Sequence, residues 1–161
     1  MKLKKTRLLF INGPNLNLLG ARENDIYGTK TLEEIASLVN IEAESMNVDI
    51  EFIQSNHEGE IIDIIHASKG KYDVIIINPG AYTHYSIAIR DAIKAVEVPT
   101  IEIHLSNIYE REEFRSKSVI APICIGQISG FGAESYIIAL YAATRLVLKN
   151  RKHGKGSSAP V

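Results

Sequence analysis

The sequence has little that would assign it to a specialised class of protein. Its 161 residues include a single cysteine, Cys124, which excludes an internal disulfide and is consistent with a reducing compartment. The formal net charge is −1, so no overall field attracts the chain to nucleic acid or to a membrane surface. We therefore expect no nucleic acid and no membrane among its partners.

Long hydrophobic runs are also missing. The basic segment at residues 1–7 is followed by only four apolar residues before Asn12, whereas a signal peptide needs an apolar stretch of about 7–15 residues. The apolar run Tyr136–Ala143 is too short to span a bilayer and is followed by Thr144 and Arg145. These patterns predict a cytoplasmic protein.

The usual signatures of nucleotide and metal sites are absent. There is no G-x-x-x-x-G-K-[ST] loop and no G-x-G-x-x-G after a predicted strand. The five histidines are scattered without zinc spacing, so we expect no metal and no cofactor. Residues 126–132 (GQISGFG) are glycine-rich and precede a predicted helix; they could cradle an anion or simply form a turn, and the sequence leaves both open.

Strand-like and helix-like patterns alternate along the chain. Five apolar, β-prone runs predict strands at 7–12, 48–54, 74–78, 100–105 and 119–125. Helical patterns lie near 31–46, 59–69, 84–96 and 133–149, with a short helical or irregular piece near 110–117. This alternation predicts an α/β fold with a flavodoxin-like, doubly wound, five-stranded parallel sheet and helices on both faces. We expect one catalytic domain at 1–150 and a polar, disordered tail at 151–161.

Ionisable side chains follow the strands of this predicted sheet. Ligands of open parallel sheets bind outside the carboxyl ends of the strands. The first strand leads into a long polar loop, Asn12 to Lys30; the third ends at Asn78-Pro79-Gly80, and the fourth leads into Ser106. The site is therefore predicted at this rim of the sheet.

The fourth strand carries a carboxylate and an imidazole on one face. Glu102 and His104 are two residues apart, whereas Ile101, Ile103 and Leu105 point to the opposite face. A half-exposed edge strand would show the same pattern. In the functional interpretation, the carboxylate orients the imidazole and favours its protonated form, which makes His104 a general acid.

The first loop holds a tyrosine near an arginine. A free phenol has a pKa of about 10 and is a poor base at neutral pH, but a guanidinium in contact would favour the phenolate. Arg22 and Tyr27 are five residues apart, so the loop suits such a pair, although a surface arginine beside an anchoring tyrosine fits as well. Glycines at positions 20 and 28 suit a lid.

The other polar residues of the rim have ordinary structural explanations too. Asn78 could simply close a turn, and His84 and Asp91 lie seven apart on one stripe of the third predicted helix. Arg115 could be a solvated cation, although the fork of an arginine suits a carboxylate.

Five segments of the chain resemble, in order, the signature segments of the type II 3-dehydroquinate dehydratases. They are INGPNLNLLGARENDIYG, QSNHEGEIID, IINPGAYTHYSIAIRDAI, VPTIEIHLSNIYEREEFRSKS and GQISGFGAESYIIAL, and the resemblance covers about residues 7–150. Each segment alone is weak, but the five together are specific.

The resemblance implies the conversion of 3-dehydroquinate to 3-dehydroshikimate plus water in the shikimate pathway, by anti elimination through an enolate. It implies that Tyr27 is the base, that Arg22 favours its phenolate, and that Asn15 holds a water or the enolate oxygen. His104 would be the acid, with Glu102 as its partner. The substrate-binding positions that match are Asn78, His84, Asp91, Leu105, Ser106 and Arg115.

The resemblance also implies a homo-oligomer, a dodecamer built from trimers, in which Asp91 reaches the site of a neighbouring subunit. The competing dehydratase chemistry uses a Schiff-base lysine. No lysine ends a predicted strand, and only Lys117 lies near the rim beside Arg115. We therefore expect no imine.

Two other functions remain open from the residues alone. A flavodoxin-like module could bind a phosphorylated ligand, although it should carry a phosphate-cradling loop after the first strand, where this chain has Asn-Gly-Pro-Asn. A noncatalytic subunit could keep the fold for assembly, although it would have no need of Tyr27, Arg22 and His104.

Overall fold

The computed structural model describes residues 4–21 and 28–154, which form a three-layer α/β structure. The strands are β1 (Thr6–Asn12), β2 (Val48–Gln54), β3 (Val74–Asn78), β4 (Thr100–His104) and β5 (Gly126–Ser129). The α-helices are α1 (Leu32–Ser45), α2 (Glu58–Ala67), α3 (Ile87–Val96) and α4 (Glu134–Gly154). All strand pairs are parallel.

The strand order is β2-β1-β3-β4-β5, which confirms the predicted flavodoxin-like sheet. In this order, the chain reverses its direction of travel across the sheet between β1 and β3, which is where open parallel sheets usually bind their ligands. Within residues 4–21 and 28–154, no helix combines the length and the apolar composition needed to cross a bilayer.

The two faces of the sheet pack against different helices because alternate side chains of each strand point in opposite directions. On one face, Leu8, Phe10 and Ile76 belong to the core that includes α1 and α4. On the other, Leu9, Ile11, Ile75 and Ile77 pack with α2 and α3. The central strands are therefore buried on both faces, as expected for a parallel sheet.

The prediction for the fifth strand was wrong. Residues 119–125 do not form a strand: Ala121–Ile123 is a 3-10 helix with Pro122 in its first turn, and the strand is Gly126–Ser129. A proline has no N–H to donate to a strand ladder, whereas the glycine-rich segment can pair with β4 at the edge of the sheet. The segment that could have cradled an anion is thus partly a strand, and the N–H of Gly132 donates to the Leu105 carbonyl at 2.8 Å.

Two helix boundaries also differ from the predictions. The helix expected from residue 84 begins at Ile87, because Ser86 accepts from the N–H of Ile89 and caps it, while Gly80–His84 forms a separate 3-10 helix. The last helix continues to Gly154, so residues 151–154 belong to it and not to a tail. Arg151 explains this, since its guanidinium donates to the Lys4 carbonyl at 2.5 Å and contacts Asp73 at 3.4 Å.

The loops after β1 and β3 touch through their backbones. The N–H of Gly13 donates to the Asn78 carbonyl at 2.8 Å, and a Cβ atom on Gly13 would lie only 2.4 Å from the Pro79 carbonyl oxygen. Gly80, at φ 59°, faces the Pro14 carbonyl in the same way. Glycine is required at position 13 because any side chain would separate the two loops.

Candidate active site

A cavity of about 200 Å³ opens at the carboxyl ends of β1, β3 and β4. It brings together seven residues that the sequence analysis named: Asn15, Asn78, His84, His104, Leu105, Ser106 and Arg115. A wider groove of about 1260 Å³ adjoins it and shares Leu105, Ser106, Arg111 and Arg115 with it. The smaller cavity is the better candidate site because both imidazoles line it.

The strand β4 places a carboxylate directly behind an imidazole. Glu102 is 0% and His104 6% exposed, and Glu102 Oε1 lies 2.5 Å from His104 Nε2. The strand lies between β3 and β5, so the alternative of a half-exposed edge strand is wrong. Ile101, Ile103 and Leu105 face the opposite core, as predicted.

Glu102 is held as an anion at this buried position. Burial by itself raises the pKa of the carboxyl, but the hydrogen bond and the charge of His104, with hydrogen bonds from Thr83 and Ser118, outweigh burial and lower that pKa below its ordinary value. An anionic Glu102 only accepts, so His104 Nε2 carries a proton and donates it. Nδ1 is then the nitrogen that can exchange a proton with a ligand in the cavity.

His84 is fixed in the complementary way. Its Nδ1 lies 2.7 Å from the Lys117 carbonyl, which can only accept, so Nδ1 carries the proton. Burial, followed by the neighbouring His104 and Arg111, lowers the pKa of His84 despite the opposing effect of the Lys117 carbonyl. The ring is therefore neutral at neutral pH, and its Nε2 is an acceptor.

Asn78 is oriented by a phenol inside the core. Its Nδ2 donates to the Tyr136 hydroxyl at 3.0 Å, and that hydroxyl donates to Asn12 Oδ1 at 2.7 Å. The Asn12 amide in turn donates to the Ile53 carbonyl at 3.0 Å. Burial raises the pKa of the Tyr136 phenol, which therefore keeps the proton that it donates. The ends of β1 and β3 are thus tied to α4.

Two arginines of the segment after β4 line the cavity. The Arg111 guanidinium donates to the Ser106 hydroxyl, and Arg115 pairs with Glu112 at 2.8 Å. The Ser106 carbonyl is fixed by the Ser129 hydroxyl at 2.9 Å. Guanidinium groups with a nearby hydroxyl form a fitting site for an anionic, hydroxylated ligand.

Of the predicted site residues that the structure describes, Glu102 and Asp91 do not line the cavity, and Glu102 lies behind His104. Asp91 is exposed on α3. Arg22 and Tyr27 lie outside the described residues, so their predicted pairing and their approach to His104 remain predictions.

Several groups that support the site are not signalled by any pattern in the sequence. Thr83 and Ser118 donate to Glu102, and the Gln127 amide contacts it at 3.3 Å. Tyr136 holds Asn78. No spacing rule signals such contacts, because they join segments 16 to 58 residues apart in the chain.

At the start of the first loop, the backbone N–H groups of Gly13 and Asn15 already have partners within the protein. The N–H of Gly13 is used by the Asn78 carbonyl, and the N–H of Asn15 donates to Asn56 Oδ1 at 3.0 Å. Within the described ranges, no group of His, Cys, Asp and Glu is placed to hold a metal ion. Burial and the nearby Glu102 charge raise the pKa of the Cys124 thiol to about 12, so this thiol stays protonated.

Comparisons with known proteins agree with this geometry. The sequence model described as "Dehydroquinase class II" matches residues 6–144. A curated 3-dehydroquinate dehydratase of Caldicellulosiruptor bescii is 63% identical over 142 residues, which is 88% of this chain and 98% of that protein. A 3-dehydroquinate dehydratase of Clostridium perfringens is 58% identical over 146 residues, which is 90% of this chain and 98% of that protein.

A solved structure shows the same fold. The type II dehydroquinase of Butyrivibrio crossotus superposes with a TM-score of 0.85 at 50% identity, covering 87% of this chain and 98% of the other. The matched region contains the whole described cavity, from Pro14 to Arg115. The chain therefore belongs to the class II dehydroquinase family.

Proposed function

We propose that the chain is a 3-dehydroquinate dehydratase, a hydro-lyase that converts 3-dehydroquinate to 3-dehydroshikimate and water. The observation that carries the proposal is the buried Glu102–His104 pair, which presents one imidazole nitrogen to a cavity that also contains Asn78 and His84. The family membership supports the reaction, since relatives at 58% and 63% identity carry this name.

The mechanism that we propose is an anti elimination through an enolate. Tyr27, as a phenolate favoured by Arg22, removes the proton α to the ketone, and the electron pair of the broken C–H bond forms the enolate. Asn15 holds the enolate oxygen directly or through a water. The enolate then collapses, the C–O bond to the β hydroxyl breaks, and His104 protonates the departing oxygen to give water.

The geometry at His104 supports its role as the acid. Nε2 faces Glu102, so the protonated ring donates from Nδ1 to the leaving hydroxyl and becomes neutral. The anionic carboxylate accepts from Nε2 before and after this transfer, so the ring keeps one orientation.

The remaining cavity residues would hold the substrate. Neutral His84 offers an acceptor for a substrate hydroxyl, and Arg115 with Ser106 and the Leu105 backbone suits the carboxylate. Asn78, oriented by Tyr136, binds a polar substituent.

An imine mechanism has less support. None of the residues that line the described cavity is a lysine, and Lys117 is exposed and offers the site only its carbonyl. Borohydride added with substrate should not inactivate the enzyme; a reduced covalent adduct on a lysine would remove the enolate route.

We also propose that the protein assembles into a dodecamer built from trimers. It works in the shikimate pathway and is cytoplasmic. Asp91 supports the assembly, because it is exposed and separate from the cavity of its own chain, as expected of a residue that completes a neighbour's site. Tyr85 and Ile87 near the start of α3 are 61% and 54% exposed, which suits burial between subunits. The single cysteine is consistent with a reducing compartment.

The direct test of the activity is to add 3-dehydroquinate to the purified protein. Formation of the conjugated enone product gives an ultraviolet absorbance that grows with time. A purified, correctly folded protein that produces no such absorbance would refute the proposed function. Retention of a coloured or phosphorylated ligand by that inactive protein would favour the binding module.

A further inference from the structure

The hydroxyl of Ser118 uses all of its hydrogen-bonding capacity. It accepts from the N–H groups of Ile120 at 3.1 Å and Ala121 at 2.8 Å, and it donates to Glu102 Oε2 at 2.8 Å. A hydroxyl has one proton and two lone pairs, so these three bonds use all of them, and the Thr83 hydroxyl oxygen lies beside Ser118 Oγ at 2.9 Å. Ser118 thus caps the turn that follows it and contacts the carboxylate behind His104.

The same turn carries the group that fixes His84. The Lys117 carbonyl, one residue before Ser118, lies 2.7 Å from His84 Nδ1. The N–H of Val119, one residue after it, donates to the Thr83 carbonyl at 2.8 Å. The turn at 117–121 therefore contacts His84 directly and His104 through Glu102, and Ser118 is the side chain that caps it.

The Thr83 side chain contacts both Glu102 and Ser118, and its Oγ1 lies 2.9 Å from Ser118 Oγ. Its buried hydroxyl donates to Glu102 Oε1, the oxygen that also faces His104 Nε2. Because the lone pairs of Ser118 are taken by backbone N–H groups, the Thr83 proton goes to Glu102. Removing the Thr83 hydroxyl should disturb the carboxylate. Ser118 keeps its bonds to the turn through Ile120 and Ala121, so the contact between His84 and Lys117 should stay in place.

We propose that Ser118 is a positioning residue for both imidazoles of the cavity, acting on His104 through Glu102 and on His84 through the Lys117 carbonyl. One hydroxyl then sets the nitrogen that His104 presents as a donor and the nitrogen that His84 presents as an acceptor. The expected change in kcat rests on the proposed dehydratase function. The expected change in which ring nitrogens carry protons does not depend on that function.

The positions of the two imidazole protons can be measured without activity. Nitrogen-15 chemical shifts of histidine-labelled protein, recorded in the solid state, distinguish the protonated from the bare ring nitrogen. The signals of the two rings are assigned by their loss in His84→Asn and His104→Asn. Ser118→Ala should move the signals of both rings, whereas Thr83→Val should move those of His104 alone.

The kinetic effect follows from the loss of a donor to a buried anion. We expect Ser118→Ala to lower kcat by about tenfold to a hundredfold, since a hydrogen bond to a charged group is lost. KM should rise as well, because His84 loses its fixed acceptor. Ser118→Thr keeps the hydroxyl and should restore most of the activity and the wild-type spectrum.

A matched control is available in the same segment. The Ser116 hydroxyl donates to the Glu113 carbonyl at 2.9 Å and does not contact either ring. Ser116→Ala should leave both the spectra and kcat unchanged. Should Ser118→Ala fail to fold, as judged by circular dichroism, Ser118→Cys replaces it, because a thiol of similar shape is only a weak donor.

Two outcomes would overturn the proposal: His84 signals that stay in place when Ser118 is replaced, or equal effects from Ser116→Ala. If the wild-type protein does not convert 3-dehydroquinate, the proposed function fails, and the spectra still decide whether Ser118 positions the rings.

Discussion

Asn78 Nδ2 donates to the Tyr136 hydroxyl at 3.0 Å, where Tyr136 is 0% exposed. The phenol stands between the ends of β1 and β3, because it also donates to Asn12 at 2.7 Å. Asn78 of the candidate site is therefore held from inside the core by α4, the helix that follows the last strand of the sheet.

Replacing this phenol should loosen the site without unfolding the protein. Tyr136→Phe leaves the buried atoms Asn12 Oδ1 and Asn78 Nδ2 without the hydroxyl that they bond to, so we expect a loss of about 1–3 kcal/mol in unfolding free energy. KM should rise because the Asn78 amide is no longer fixed. Denaturant unfolding and steady-state kinetics measure the two effects.

Tyr141→Phe is the matched control. Tyr141 lies at an exposed position on α4, the helix that also carries Tyr136, and its hydroxyl donates to Glu42 of α1. The variant should change stability little. Equal losses in the two variants would show that the buried phenol has no special role.

Gly13 should tolerate no side chain. Gly13→Ala would place a Cβ atom 2.4 Å from the Pro79 carbonyl oxygen, so the two rim loops must move apart. We expect a loss of about 1–3 kcal/mol in stability, as for other overpacked sites, together with lower activity. Thermal unfolding and turnover provide the measurement.

Gly59→Ala serves as its control, since nothing lies within 4 Å of a Cβ atom there and the residue is in α2. That change should stabilise the protein by up to about 1 kcal/mol. A Gly13→Ala variant as stable as the wild type would contradict the observed contact between the loops.

The free energy of unfolding should depend on pH in the acid range because of Glu102. Its pKa is lower in the folded protein than the ordinary 4.5, so the unfolded chain binds a proton at higher pH than the folded one. The stabilisation is complete above about pH 4.5 and is lost as the pH falls through the lower, folded-state pKa. Glu102→Gln should remove this component and flatten the acid limb of the stability profile.

Glu44→Gln, a change at an exposed position on α1, is the comparison and should keep the wild-type profile. Chemical unfolding at a series of pH values gives both curves. An acid limb that is identical in the wild type and in Glu102→Gln would show that the carboxyl is not held as an anion.

Tyr27→Phe tests the proposed base. The ring is kept and the hydroxyl is removed, so kcat should fall by at least about a hundredfold, the usual contribution of a positioned base. Assembly should not change. Tyr141→Phe, at an exposed tyrosine whose hydroxyl donates to Glu42, should leave kcat near the wild-type value. A Tyr27→Phe enzyme with normal turnover would require another base.

Mixed assemblies test whether Asp91 acts in a neighbouring subunit. Asp91→Asn and His104→Asn should each be inactive alone. If one subunit supplies His104 and the next supplies Asp91, random mixing of equal amounts restores about one quarter of the sites in a cyclic trimer. Activity after co-refolding gives the result. No recovery, with mixed assemblies verified by native mass spectrometry, would place Asp91 in the site of its own chain.

The errors of the sequence-based prediction have a common physical origin. Residues 119–125 are more β-prone than 126–129, yet the strand forms at Gly126–Ser129 because pairing with β4 outweighs local propensity and Pro122 cannot donate to a ladder. In the same way, the helix predicted from residue 84 begins only at Ile87, because the Ser86 side chain caps it by accepting from the N–H of Ile89. Both outcomes depend on contacts that hydrophobic periodicity does not contain.

The sequence by itself determined the fold class, the rim that carries the site and the shared face of Glu102 and His104, because each follows from a short periodicity along the chain. Only the tertiary structure decided that Glu102 is buried, that it stays anionic, and that Thr83, Ser118 and Tyr136 hold the groups of the site. These contacts join segments far apart in sequence, and a burial or hydrogen bond of that kind exists only after the chain has folded.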